Sequence, residues 1–209
     1  MKTAIITISN DPDVENPCEN DQFKIYSFCT RHSNFTHPSE LNLGALDSSG
    51  QPTISNIGLR RKLEAGTAFI LSYYEHGLGC WSLQGEGNNC QWDSTRIAGL
   101  MVWEGKATDI GKNRNDRAKA ARSFLEVYND WCNGNTYAYD IKEYDEENDE
   151  EGEDISSCCG YIGDKHLLDG ILDAIDGTDI KIVRADGECA FAIEELPLTA
   201  KKKTEGVPA

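Results

Sequence analysis

The sequence predicts an α+β domain built mainly on antiparallel sheet, and three observations lead to that class. Short runs of β-branched and aromatic residues, bounded by Gly, Asn and Asp, recur along the first half of the chain. Strong helical periodicity is confined to two segments, about 116–132 and 164–176. The length, 209 residues, suits one domain with a sizeable core, placed at 1–198 and followed by a tail.

Each element has its own reason. Thr3 to Ser9 opens the chain as a strand, too short and too Thr-interrupted for an export signal. Phe23 to Cys29, Thr67 to Tyr74, Leu78 to Leu83 and Ile97 to Trp103 read as further strands, with Glu75-His76-Gly77 as a hairpin turn. Arg60 to Ala65 reads as a short helix stopped by Gly66. In the first principal helix Ala118, Ala121, Leu125, Tyr128 and Cys132 recur at spacings of three and four, and Gly134 closes it. Thr136 to Ile141 and Ile155 to Ile162 are strands on either side of an acidic loop at 140–154. Asp164 is the candidate N-cap of the second helix, Leu167, Leu168, Ile171, Leu172 and Ile175 its buried face, and Gly177 its end. Ile180 to Val183 and Cys189 to Ile193 are expected as a terminal hairpin around Asp186-Gly187, and 199–209 as a flexible tail.

Charge narrows the function classes. Thirty-six acidic against 20 basic residues give −16, a field that repels nucleic-acid backbones and anionic lipid. No apolar run approaches the about 20 residues a membrane helix needs, so a soluble cytoplasmic protein is expected. The stretch from Asp140 to Asp154 holds ten carboxylates and one lysine, −9 of the −16. Within it Asp145, Glu146, Glu147, Asp149, Glu150 and Glu151 are the candidate binding residues for a protein partner with a basic surface, a form of nucleic-acid mimicry. An EF-hand fails there: with Gly152 as its glycine, Cys158 falls where the bidentate Glu belongs.

Two smaller constellations could carry chemistry. Asp11, Asp13, Glu19 and Asp21, in a stretch stiffened by Pro12 and Pro17, are candidate oxygen ligands for a divalent cation, against the alternative that they satisfy their own turns. No other cofactor is indicated. His76 at the hairpin turn, with Cys90 and Asp93 some fifteen residues on, could supply base, nucleophile and orienting acid of a small hydrolase or transferase. Trp92 and Ser94 flank that group as candidate binding residues; the alternative is a core Cys and Trp beside a capped turn. His32 and the vicinal Cys158-Cys159 could join either site. The eight cysteines, Cys18, Cys29, Cys80, Cys90, Cys132, Cys158, Cys159 and Cys189, contain no C-x-x-C pair, which argues for free thiols over structural zinc.

The order of several segments carries a resemblance. DPDVENPCENDQFKIYSFCTRH, AFILSYYEHG, CQWDSTRIAGLMVW, EVYNDWCNGNTYAYDI and SSCCGYIGD follow one another over about residues 11–165. This series resembles a family of uncharacterised small phage and prophage proteins with D-x-E-S-P-R-E-W-D, Y-D-H-S-G, C-P-W-D-S-G-Q-V-G and D-S-C-W-G-F-Y-G segments. The resemblance marks Asp13, Pro17, Glu19, Asp21, His76, Gly77, Cys90, Trp92, Asp93, Ser94, Tyr128, Gly134, Cys158 and Gly160, and departs at Glu75, Thr95 and Asn129. It implies a phage or mobile-element accessory protein of the bacterial cytoplasm and no particular activity. With the charge, it favours a non-enzymatic binder, an acidic inhibitor of a host nucleic-acid-handling or defence system.

Overall fold

A computed structural model describes residues 2–29, 36–43, 45–46, 48, 52–53, 56–87, 90 and 93–187. In chain order these form β1 (Lys2–Asn10), α1 (Pro17–Asn20), β2 (Phe23–Ser27) and a 3-10 turn (Pro38–Leu41). The two-residue strands β3 (Ala45–Leu46) and β4 (Pro52–Thr53) precede α2 (Ile57–Ala65), β5 (Ala68–His76), β6 (Leu78–Leu83) and β7 (Ser94–Trp103). Then come α3 (Arg114–Cys132), β8 (Thr136–Asp145), β9 (Glu150–Ile162), α4 (Asp164–Ile175) and β10 (Ile180–Gly187). The fold class is α+β, as the sequence predicts. The chain divides into two compact units, residues 16–133 and the two flanking segments 1–15 and 134–209.

The unit made by the flanking segments is a four-stranded sheet, β10-β1-β8-β9, with α4 packed on one face. Ala4, Ile6 and Ile8 alternate along β1, as do Tyr137, Tyr139 and Ile141 along β8, so both strands present one apolar side. Leu167, Ile171 and Ile175 of α4 close over them at the three- and four-residue spacing read from the sequence. Burial of each such side chain is worth about 1.5–3 kcal/mol. Gly163, rather than Asp164, is the N-cap, and Asp164 lies in the first turn, where its charge suits the positive end of the helix.

Two expectations are corrected here. The acidic stretch is strand for most of its length: β8 runs to Asp145, β9 starts at Glu150, and only 146–149 form the turn. Ladder hydrogen bonds and cross-strand ion pairs offset the repulsion that argued for a loop. Asp186 and Gly187, expected as a turn, are themselves strand: both lie in β10, parallel to β1 and paired with Thr7 and Ile8, and a Cβ at Gly187 would meet the Ile8 carbonyl oxygen at 1.9 Å. The glycine permits close approach of the two backbones. The expected strand at Cys189 to Ile193, Cys189 itself, His32 and the 199–209 tail lie outside the described residues.

The unit of residues 16–133 has a sheet ordered β2-β7-β5-β6, antiparallel throughout. Helix α3 starts where the Asn113 side chain accepts from the Asn115 and Asp116 backbone N–H groups. Its Ala121, Phe124, Leu125 and Tyr128 pack with Phe23, Leu71, Trp81 and Met101 of the sheet. A second cluster, containing Leu59 of α2 with Tyr26, Ala68, Leu100 and Val102, covers the opposite face. β5 and β6 form a hairpin at the expected place, with the reversal at Gly77 and with Glu75 and His76 still in β5, paired with Gly79 and Leu78.

Candidate functional site

The units differ sharply in charge. Residues 1–15 and 134–209 carry 23 acidic and 8 basic residues, net −15, whereas residues 16–133 carry 13 and 12, net −1. Nearly all of the molecule's field therefore originates from the unit that holds the β8–β9 hairpin.

Within that hairpin the six acidic candidates fall into two sets. Asp145 caps the turn, its carboxylate accepting from the Glu147 N–H at 2.9 Å and the Asn148 side chain at 2.8 Å, which holds it below the usual carboxylate range. Asp149 accepts from the Tyr144 hydroxyl and pairs with Arg184 at 3.4 Å. Arg184 also pairs with Asp186 at 2.8 Å and lies 5.9 Å over the Tyr144 ring. Glu151 pairs with Lys142 at 3.0 Å, and this contact raises the lysine above its ordinary value. Asp145, Asp149 and Glu151 thus build the hairpin. By contrast, Glu146, Glu147 and Glu150 have no ion pair among the described residues and stand exposed around the turn. They help to line an open depression of about 600 Å³ together with Lys2, Glu143 and Glu151. Sequence reasoning found the carboxylates but missed Arg184, whose only signal was that it is the single arginine in the sequence of the acidic unit.

The structure brings His76, Cys90 and Asp93 together, in an order that differs from a nucleophile relay. Cys90 Sγ lies 3.3 Å from Asp93 Oδ2, and His76 Nδ1 lies 3.5 Å from that same oxygen. The carboxylate therefore occupies the middle position, where acyl-transfer triads place the imidazole. Ser94 Oγ accepts the Cys90 backbone N–H at 3.0 Å, a turn-closing bond. Trp92 lies outside the described residues.

Two of the acidic residues of the N-terminal stretch, Asp11 and Asp21, satisfy backbone donors. The Asp11 carboxylate accepts from the Gly160 N–H at 2.9 Å and the Asp13 N–H at 3.3 Å, and Asp21 accepts from the Phe23 N–H at 2.8 Å. Asp11 and Asp13 belong to the acidic unit, Glu19 and Asp21 to the other. Among the described residues no three His, Cys, Asp or Glu side chains form a metal-binding group. Cys158 and Cys159 are free and exposed on β9.

No described helix is long and apolar enough to cross a membrane. No family model matches the chain, and neither a curated protein nor a solved structure does.

Proposed function

We propose that the protein acts by binding a protein partner with a basic surface through the tip of the β8–β9 hairpin. The observation that carries this reading is the division among the hairpin carboxylates: three are committed to holding its shape, while Glu146, Glu147 and Glu150 are held out unpaired on that scaffold. A preformed anionic tip binds without the ordering cost that a mobile loop would meet. In a unit of net −15 it also has the field to steer a cationic partner. The biological setting we favour is that of a phage or mobile-element accessory protein in the bacterial cytoplasm. There it would occupy the basic groove of a host nucleic-acid-handling or defence system and act without catalysis.

The test is capture of partners from bacterial lysate on the immobilised full chain at low and high salt, with duplex DNA as competitor. The expected result is a partner released by salt and by DNA, retained by an E126Q control on α3 of the near-neutral unit and lost on the triple variant E146Q/E147Q/E150Q. Equal retention by the triple variant overturns the assignment of the tip. A second reading, a small Cys/His/Asp hydrolase or transferase, draws on the convergence of Cys90, His76 and Asp93. Thiol reactivity tests it separately.

A further inference from the structure

Strand β6 ends its sheet, with β5 on one side and, among the described residues, no strand on the other. Backbone groups along a strand alternate in direction, so those of every second residue face away from β5. In β6 these are Gly79, Trp81 and Leu83; the Leu83 carbonyl accepts from the Glu86 N–H at 2.9 Å, and the four groups of Gly79 and Trp81 are engaged by side chains from the end of α3. Asn129 Oδ1 accepts from the Trp81 N–H at 2.7 Å, and Asn129 Nδ2 donates to the Trp81 carbonyl at 2.9 Å. Asn133 does the same at Gly79, accepting from its N–H at 2.9 Å and donating to its carbonyl at 2.8 Å. The spacings agree: residues i and i+4 of a helix are about 6 Å apart along its axis, and residues i and i+2 of a strand about 6.7 Å. Two carboxamides one helical turn apart therefore present the repeat of donors and acceptors that a neighbouring strand would.

We infer that Asn129 and Asn133 stand in for a fifth strand and keep a latent interaction edge closed, whose occupant when opened is β6 of a second copy of this chain. Self-pairing fits because Gly79 and Trp81, the two residues the asparagines hold, are symmetric about Cys80, while the Leu83 carbonyl is already bonded within its own turn. An antiparallel copy related by a two-fold axis sets each Gly79 against Trp81 of the other copy, with the same bonds the asparagines now make. It also sets Cys80 opposite Cys80 in a non-hydrogen-bonded pair, with Cα atoms about 4.5 Å apart, inside the range a disulfide spans. Cys80 is exposed, as is Leu78 beside it. The unit that carries β6 is nearly neutral, so its own charge does not oppose the pairing. Loss of the four bonds also unties the last turn of α3, which frays away from the edge.

Amide hydrogen exchange and sedimentation velocity on the full chain test this. In N129A the Trp81 amide exchanges about tenfold faster, in N133A the Gly79 amide does, and the Cys80 amide, bonded toward β5, changes in neither. The double variant N129A/N133A sediments as a dimer. Diamide, which takes up the two thiol hydrogens as the disulfide forms, crosslinks it through Cys80, whereas the wild-type chain and N129A/N133A/C80S give no such crosslink. Faster exchange at Gly79 and Trp81 without dimer or crosslink overturns the inference, because the bulk of α3 then closes the edge. Unchanged exchange in the single variants overturns it equally, and those two measurements decide the matter if the double variant does not fold.

Discussion

Cys90 directs its thiol at Asp93, 3.3 Å away, so its proton faces a carboxylate. His76 Nδ1 lies 3.5 Å from the same oxygen. A nucleophilic cysteine needs a base or a positive neighbour that favours its thiolate. Iodoacetamide at neutral pH is therefore expected to label Cys90 no faster than exposed Cys80, and Asp93→Asn to speed Cys90 labelling. Labelling of wild-type Cys90 about tenfold faster than Cys80 would establish an activated nucleophile and favour the enzyme.

Gly170 sets two magnitudes against each other. Alanine in a helix interior normally gains about 1 kcal/mol over glycine. At this position the added carbon would lie 2.3 Å from the Tyr161 ring, and overpacking of that kind costs about 1–3 kcal/mol. Gly170→Ala is expected to lower the urea midpoint, and Tyr161→Ala in the same chain to reverse the sign of the substitution. A stabilised single variant would show that the ring swings aside freely.

The Glu86–Arg122 pair predicts a small acid dependence. Arg122 donates to both carboxylate oxygens, at 2.7 and 2.8 Å, and holds Glu86 below the usual carboxylate range. A depressed carboxyl stabilises the fold above its unfolded value, and the contribution is lost as pH falls through the folded one. Both side chains are more than a third exposed, so screening limits the effect to about 0.5 kcal/mol. Glu86→Gln should cost that much at neutral pH in urea unfolding and nothing in strong acid; an equal cost at both would locate the effect in packing.

Cys18 gives the opposite pH signature. Burial against the α3 core pushes its thiol up to about 11, while the Ile25 backbone and Lys24 pull the other way. An acid whose folded value is raised stabilises the fold below its unfolded value, here the ordinary 9.0, and loses that contribution as pH climbs to about 11. Cys18 is expected to label more slowly than Cys80 at pH 8, and the wild-type chain to lose stability between pH 9 and 11 by more than Cys18→Ala does. Parallel losses in the two chains would contradict the assignment.

How much of this was legible in the sequence depends on whether meaning was local. The helices α3 and α4 announce themselves because Ala121, Leu125 and Tyr128, or Leu167, Ile171 and Ile175, recur at the pitch of a helix whatever they pack against. Asn129 and Asn133 carry no such signal. On a helical wheel they are two polar residues at the end of an amphipathic helix, and their role exists only once a strand edge arrives beside them. The hairpin was misread for a related reason: like charges in sequence predict repulsion, but strand pairing brings Lys2 and Arg184 in from elsewhere and sets Lys142 against Glu151 to temper it. His76, Cys90 and Asp93 do lie close together, but the order of contact, which decides chemistry, follows from the three-dimensional arrangement and not from spacing.

The chain path has a consequence for modularity. Strands β1 and β8 are antiparallel neighbours, and the 118 residues from Asn16 to Asn133 run between them. The ends of that excursion meet: the Asn10 side chain donates to the Gly134 carbonyl at 2.8 Å, and the Asp11 N–H donates to the Thr136 carbonyl at 2.8 Å. In register, β1 and β8 are the arms of an ordinary hairpin whose turn has been replaced by a whole folded body. Excising that body and rejoining the arms with a tight turn leaves every pairing of the acidic sheet in place, which makes the anionic half a portable module that another scaffold could host at any exposed hairpin.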